Sequence, residues 1–237
     1  MPARSIRPTM LLTGAAEGLG ESLAATFAAG GYDVLGLSRT SRSSERLKRR
    51  VEQAGGAYTH LACDLTQPID VAAVLQPLAG RIDVLVHNAH LLEIKPFEQT
   101  TASEFEQAWR VACLGAMTSA QSVLPHMTAR GTGAVILTGA TAGIRGAAQF
   151  SAFASAKFAL RGLAQSLARE FGPKGIHVAH VILDGLIDEA QTSQRFGPPQ
   201  SLRMDPDAAA SIYLGLASQP SSAWTHEIDL RPFSERF

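Results

Sequence analysis

The chain has 237 residues, of which 46% are hydrophobic and 6% aromatic, a composition typical of a globular domain with a full apolar core. Its 21 basic residues balance 21 acidic ones, so no overall charge favours nucleic acid, an anionic membrane or a polyanionic substrate. Two cysteines are too few for a disulfide framework or a metal-binding pattern, and no apolar run is long enough to span a membrane. We therefore expect a cytoplasmic protein with no metal, nucleic acid or membrane as partner.

Short apolar runs alternate with helical patterns along the whole chain. This alternation predicts βαβ units and one α/β domain over residues 1–237, a doubly wound and mostly parallel sheet with helices on both faces. The segment 186–204 is too long for a simple connection, and we interpret it as an irregular loop over the substrate. Strands are predicted at 9–13, 32–37, 57–62, 82–87, 134–138, 177–183 and 225–230. Helices are predicted from about 19 to a glycine stop at 30–31, and at 45–54, 69–78, about 102–129, about 150–171 and 206–217.

A glycine-rich loop, TGAAEGLG at 13–20, lies between the first strand and the first helix. Backbone N–H groups and the helix dipole at such a junction form a site for a pyrophosphate. Gly14 is needed for the turn, Gly18 for close approach of the backbone to the ligand, and Gly20 for packing of the helix on the strand. The loop predicts dinucleotide binding.

Together with this loop, three further features resemble the short-chain dehydrogenase/reductase family. They are Asp64 after the third strand, Asn88–Ala89 after the fourth, and Lys157 on the helix after the fifth. The similarity extends over nearly the whole chain and implies a single Rossmann-type domain with a seven-stranded sheet, a nicotinamide dinucleotide as cofactor and a small-molecule substrate. By this resemblance the cofactor-binding residues are Gly14, Glu17, Gly18, Leu19, Ser38, Arg39, Asp64, Leu65, Asn88, Ala89, Lys157 and Ile187.

The resemblance also assigns a place to each of these contacts. Gly14, Gly18 and Leu19 fall on the pyrophosphate, and Lys157 falls on the nicotinamide ribose. Glu189 stands where the family has a threonine that touches the carboxamide, so the backbone of Ile187 is expected to make that contact. The adenine is assigned to Asp64 and Leu65, and the adenosine ribose to Asn88 and Ala89.

The end of the second strand indicates which dinucleotide is preferred. An acidic residue there accepts the ribose 2′-hydroxyl of NAD, whereas a cation neutralises the 2′-phosphate of NADP. This chain has Ser38 and Arg39 at that point, with Arg42 close behind, so we favour NADP(H) over NAD(H). Glu17 in the glycine loop opposes this choice, because its carboxylate would repel a phosphate.

The residues that carry the chemistry in the family are replaced here. The family has a tyrosine four residues before the lysine, a serine thirteen before the tyrosine, and an asparagine on the preceding long helix. These positions hold Phe153, Ala140 and Ala112. Phenylalanine has no ionisable proton, so acid catalysis of about 10²–10⁴-fold is lost unless another group supplies it. The chain is also similar to a divergent branch of the family with phenylalanine at the tyrosine position.

Four polar residues are candidates for a replacement role. Thr141 could donate a hydrogen bond, Asp184 could act as a base near the nicotinamide, and His90 or Lys157 could act as an acid. Three functions stay open: an oxidoreductase with a non-standard proton donor that reduces an activated C=C or carbonyl group, a non-catalytic NADP(H)-binding protein with a regulatory or scaffold role, and a lyase or isomerase that reuses the pocket. Family members pair through the two long helices, which implies a homodimer or homotetramer.

Overall fold

The computed structural model describes residues 7–199 and 201–235, and these contain seven β-strands that form one sheet. The strand order is β3-β2-β1-β4-β5-β6-β7, and every pair of neighbouring strands is parallel. The prediction of a doubly wound sheet is confirmed, and the sheet is fully rather than mostly parallel within these residues. The strands are β1 (Thr9–Thr13), β2 (Asp33–Ser38), β3 (Tyr58–Ala62), β4 (Ile82–His87), β5 (Gly133–Thr138), β6 (Ile176–Leu183) and β7 (Glu227–Leu230).

Helices cover both faces of the sheet, and this explains the continuous apolar runs of the central strands. One core lies between the sheet and α1, α2 and α8, and includes the fully buried Phe27 and Tyr213. The other lies beneath α3, α5 and α6. The helices are α1 (Leu19–Ala29), α2 (Ser44–Gln53), α3 (Pro68–Leu75), α4 (Ala102–Trp109), α5 (Gly115–Arg130), α6 (Ser151–Phe171), α7 (Ala190–Phe196) and α8 (Pro206–Ala217).

Local sequence signals explain where several helices begin and end. Thr101 caps α4 in a capping box, in which its hydroxyl accepts from the Glu104 N–H and the Glu104 carboxylate accepts from the Thr101 N–H. Asp205 caps α8 directly before Pro206, and Gly131 ends α5 with φ 69°, a left-handed conformation that glycine adopts without strain. Among the described helices, none is both long and apolar enough to cross a membrane.

Two predicted segments differ in detail. The helix predicted at about 102–129 is divided into α4 and α5 by a π-helical turn, Arg110–Leu114, which contains Ala112. The segment 186–204 is more ordered than predicted, because it contains α7 and a parallel bridge between Ile187 and Met204. Arg203 stabilises this arrangement by donating to the Ser193 hydroxyl at 2.7 Å and to the Gly197 carbonyl at 2.6 Å. A side-chain contact of this kind has no local signature in the sequence.

Candidate active site

A cavity of about 1090 Å³ follows the carboxyl ends of β1, β2, β4, β5 and β6. The strand order reverses between β1 and β4, and ligands of open parallel sheets bind in the crevice at such a point. Ser38 and Arg39 line one end of the cavity, and Phe150 and Phe153 line the other. The cavity therefore connects the predicted adenosine site to the predicted reaction site.

The glycine loop lies so close to the end of the neighbouring strand β4 that no side chain fits between them. Gly14 has φ 78°, and a Cβ built on it would lie 2.6 Å from the backbone nitrogen of Ala89. Gly20 is held as closely, because a Cβ there would lie 2.8 Å from the Gly14 carbonyl oxygen. Asn88 Nδ2 lies 3.4 Å from the same oxygen. The loop is thus fixed against the end of β4, with the N-terminus of α1 directed along the cavity.

Polar groups surround the adenosine end. The Ser38 hydroxyl lies 3.1 Å from the Thr40 carbonyl oxygen and 3.0 Å from the His60 Nε2. Arg39 is exposed at the rim of the cavity. Asp64 accepts two hydrogen bonds from Thr66, one from the N–H and one from the hydroxyl, both at 2.9 Å. These bonds fix Asp64 beside the cavity.

Lys157 is the buried cation of the site, with 2% of its surface exposed. Its ammonium Nζ donates to the Thr138 carbonyl at the end of β5, at 2.7 Å. Burial lowers the pKa of Lys157 from 10.5 to about 7, because the charged form loses its hydration. An ammonium group at this position therefore holds its proton weakly for a lysine.

The predicted tyrosine position lies in an apolar environment. Phe153 is 8% exposed, and its ring centroid lies 6.0 Å from that of His90, 6.5 Å from that of Phe150 and 5.7 Å from Lys157 Nζ. Ala140, at the serine position, packs against the same apolar cluster. No hydroxyl group stands at either position. Ala112 lies apart from this cluster and packs with Ala108, Ala152 and Ala156 between α4 and α6.

Asp184 and Thr141, two of the candidate replacements, are bonded to each other. The Thr141 hydroxyl donates to Asp184 Oδ1 at 2.5 Å, and Asp184 is only 1% exposed. Arg145 lies 3.5 Å from Asp184 Oδ1, and Arg231 lies 3.1 Å from Oδ2. The hydroxyl proton of Thr141 is therefore already donated to Asp184, and two guanidinium groups balance the charge of the Asp184 carboxylate. This arrangement favours a structural role for both residues.

The two histidines beside Asn88 have different environments. His87 is fully buried, and its Nδ1 lies 2.7 Å from the Thr13 hydroxyl. Burial first, and the Lys157 charge second, lower the pKa of His87 to about 3, so this imidazole is neutral at physiological pH. His90 is exposed, and its Nδ1 lies 3.2 Å from the Asn88 carbonyl oxygen. His90 is the histidine that faces the cavity, with its ring edge on Phe153.

Glu189 contacts the glycine loop at Gly18 and Leu19. Its carboxylate covers Gly18 so closely that a Cβ on Gly18 would overlap it, and Oε2 accepts from the Leu19 N–H at 3.3 Å. The pKa of Glu189 is raised, because the effect of burial exceeds the opposing effect of the hydrogen bonds from the Leu19 N–H and the Thr192 side chain. Ile187 lines the cavity next to it, and its carbonyl accepts from the Glu189 N–H at 3.0 Å.

Comparisons with known proteins agree with this architecture. A family model described as short chain dehydrogenase matches residues 8–196. The chain belongs to the short-chain dehydrogenase family. The 2-dehydro-3-deoxy-D-gluconate 5-dehydrogenase of Bacillus subtilis is 32% identical to it over 186 residues, which cover 78% of this chain and 72% of that protein.

Solved structures of the family superpose over almost the whole chain. A short-chain dehydrogenase from Rhodopseudomonas palustris is 36% identical, with a TM-score of 0.83 over 95% of this chain and 99% of that one. A metagenomic short-chain oxidoreductase, solved in complex with NADP, is 25% identical, with a TM-score of 0.84 over 96% and 98% of the two chains. The predicted family and fold are confirmed.

Most of the residues that the family resemblance selected line one cavity. Gly18 lies beneath Glu189, and Asp184 is buried behind Thr141 and Arg145. The lining residues among those predicted are Gly14, Glu17, Leu19, Ser38, Arg39, Asp64, Leu65, Asn88, Ala89, Ala140, Thr141, Phe153, Lys157 and Ile187.

Sequence reasoning missed three arrangements at this site. The ion pairs of Asp184 with Arg145 and Arg231 join residues 39 and 47 positions apart. The contact of Glu189 with Leu19 spans 170 positions. None of these three contacts has a sequence motif, although a carboxylate at the position where the resemblance places a threonine was a signal that this part of the loop had changed.

Proposed function

We propose that the chain is an NADP(H)-binding oxidoreductase of the short-chain dehydrogenase type with a non-standard proton donor, acting on a small molecule. The observation that carries the proposal is the cavity, which joins a glycine loop at the N-terminus of α1 to the buried Lys157. Two of the relatives described above support it, since the Bacillus subtilis protein is named as a dehydrogenase and the metagenomic oxidoreductase was solved with NADP.

The residues fit a nicotinamide dinucleotide in their chemistry. Gly14 and Gly20 are packed so tightly that only glycine leaves the loop backbone in this position at the N-terminus of α1. Lys157 uses one N–H on Thr138 and keeps two others for ribose hydroxyl groups. When bound, the nicotinamide supplies or accepts a hydride. The protein's part is to bind and orient both reactants and to hold a proton near the reacting carbon.

The rim of the cavity supports a preference for NADP(H). Arg39 and Arg42 are exposed there, and within the described residues neither takes part in an ion pair. Glu17, which would repel a 2′-phosphate, lies 3.5 Å from the Arg46 guanidinium on α2. The charge of Glu17 is thus partly balanced by Arg46.

Fluorescence titration with NADPH and NADH tests the proposal directly. We expect NADPH to bind more tightly than NADH. Arg39→Ala should raise the Kd for NADPH about 10-fold and leave that for NADH unchanged, since a charge-assisted hydrogen bond to a phosphate is lost. Arg49→Ala, an exposed arginine on α2 away from the cavity, is the matched control. Failure of the wild-type protein to bind either nucleotide would refute the proposal.

The apolar reaction site favours substrates that need little help with proton transfer. An activated C=C group takes a hydride at one carbon and a proton, from water or another acid, at the other. Lys157 is our candidate acid, because its Nζ lies 5.7 Å from the Phe153 ring and its pKa is lowered to about 7 by burial. Oxidation of NADPH by a panel of activated alkenes and carbonyl compounds, followed by absorbance, measures this activity.

A second candidate is a non-catalytic NADP(H)-binding protein. It is favoured by the absence of a hydroxyl group at positions 140 and 153 and by the use of the Thr141 hydroxyl on Asp184. Tight NADPH binding without oxidation by any compound of the panel would support this candidate over the oxidoreductase. The lyase or isomerase alternative gains no support, since Asp184 is buried and paired with two arginines.

We also propose that copies of the chain pair through α5 and α6, as the family resemblance implies. An apolar groove of about 480 Å³ lies between these helices. A dimeric or tetrameric mass by light scattering is expected, and a monomeric mass would contradict the pairing. The groove is lined by Met117, Ala120, Gln121, Leu124, Pro125, Thr128, Leu163, Leu167, Glu170, Phe171 and Lys174.

A further inference from the structure

The N-terminus of α1 is already in contact with an anion of the protein itself. The Glu189 carboxylate accepts from the Leu19 N–H at 3.3 Å and lies directly over Gly18. Gly18 has φ 80° and is the residue before the first turn of α1, an 11-residue helix. A backbone N–H at the start of a helix and a glycine without a side chain are the two elements with which such loops receive a phosphate. Glu189 occupies both.

The segment that carries Glu189 is held from several sides. Arg195 donates to the Leu92 carbonyl at 2.8 Å, and Arg203 holds α7 through Ser193 in the middle of the helix and Gly197 directly after it. Next to the bridge between Ile187 and Met204, the Asp188 N–H donates to the Met204 carbonyl at 2.8 Å. The carboxylate is therefore presented to α1 by an ordered strap, which is described at 186–199 and 201–204.

We propose that Glu189 is a built-in competitor for the pyrophosphate subsite, and that a dinucleotide binds only when this carboxylate leaves the Gly18–Leu19 position. The inference rests on the proposed nucleotide-binding function and adds the residue that regulates it. A carboxylate and a phosphate cannot share one N–H group at hydrogen-bond distance, and their like charges repel each other. Nucleotide binding is thereby coupled to movement of the strap over the cavity.

A purely structural role for Glu189 and a role as competitor predict opposite changes in nucleotide affinity when Glu189 is replaced. If Glu189 only anchored α7, its removal would loosen the strap and weaken nucleotide binding. If it competes with the pyrophosphate, removal of its charge strengthens binding. The sign of the change in affinity therefore separates the two roles.

The test compares the Kd for NADPH of the wild-type protein with those of Glu189→Gln and Asp188→Asn. Glutamine keeps the size of the side chain and a carbonyl oxygen for the Leu19 N–H, so it removes the charge alone. Asp188→Asn removes the same charge one residue away, from an exposed position. We expect Glu189→Gln to bind NADPH about 10-fold more tightly than the wild type, because an anion at a helix N-terminus is lost as competitor. Asp188→Asn is expected to bind as the wild type does.

Adenosine 2′-monophosphate is the second probe, because it has the adenosine and 2′-phosphate groups but nothing for the pyrophosphate subsite. Its Kd should be the same for all three proteins. An equal or weaker affinity of Glu189→Gln for NADPH overturns the inference, as does an equal gain for adenosine 2′-monophosphate. If none of the three proteins binds NADPH, NADH or adenosine 2′-monophosphate, the proposed function itself fails. If the wild type binds NADPH and Glu189→Gln binds it no more tightly, only the inference fails.

Discussion

At the nucleotide end of the cavity the backbone provides most of the polar groups, whereas at the reaction end side chains must provide them. Gly14, Gly18 and Gly20 keep the loop in the conformation that places the N-terminus of α1 at the cavity, and this requires only that no side chain be added. At the other end the family resemblance implies hydroxyl and amide side chains, at positions that we predict to be occupied here by Phe153 and Ala140. A site made of backbone thus stays intact while a site made of side chains is lost by single substitutions.

The largest effect is expected from restoring the missing side chains. The double change Phe153→Tyr and Ala140→Ser places an acidic hydroxyl four residues before Lys157 and a donor at a residue that packs against the same apolar cluster. We expect carbonyl reduction with NADPH to rise about 10²-fold, the lower end of what positioned acid catalysis contributes. Phe150→Tyr, which adds a hydroxyl to the neighbouring ring, is the control and should give no increase.

An unchanged rate in the double variant would mean that the reaction end differs from the family in more than these two groups. The missing polar side chain at Ala112 is the next difference to examine, since this residue lies in an alanine cluster between α4 and α6. Kinetic constants for both variants, measured with the same carbonyl panel, decide between these outcomes.

The stability of the protein should be more sensitive to added side-chain atoms at the nucleotide end of the cavity than at an open glycine elsewhere. Gly14→Ala introduces a Cβ 2.6 Å from the Ala89 nitrogen at a positive φ, and should lower the free energy of unfolding by about 3 kcal/mol. Gly55→Ala is the matched control: it has φ 88°, but no atom lies within 4 Å of its Cβ, so only the backbone cost of about 1 kcal/mol remains. Denaturant unfolding measures both, and equal losses would show that the close approach to β4 is unimportant.

The last effect concerns the charge of Lys157, which lies at the reaction end, 5.7 Å from the Phe153 ring. Because burial lowers the pKa of Lys157 to about 7, the folded state binds fewer protons than the unfolded state between about pH 7 and pH 10. The wild-type protein should therefore gain stability relative to Lys157→Met as the pH rises through this window, by about 1 kcal/mol per pH unit. Below pH 7 the difference between the two proteins should be constant. Urea unfolding at several pH values tests this, and parallel curves would place the pKa near its ordinary value.

The sequence alone was sufficient for the fold and for the loop that carries the predicted phosphate site. Apolar periodicity placed every strand to within about two residues, because strands buried on both faces give continuous apolar runs. The glycine spacing placed the loop before α1, since only glycine tolerates the positive φ at positions 14 and 18. Counting back from Lys157 predicts Phe153 at the tyrosine position and Ala140 at the serine position, which needs only the spacing along the chain.

The tertiary structure decided which polar groups are available. Thr141 and Asp184 were candidates from the sequence, but their hydrogen bond and the ion pairs to Arg145 and Arg231 join segments that meet only at the end of the sheet. The π-helical turn at Arg110–Leu114 and the order of α7 were likewise hidden, because contacts between distant segments determine them. Glu189 is the clearest case. Its position after β6 could be counted, but its contact with the N-terminus of α1 exists only because the parallel strands bring their carboxyl ends to one edge.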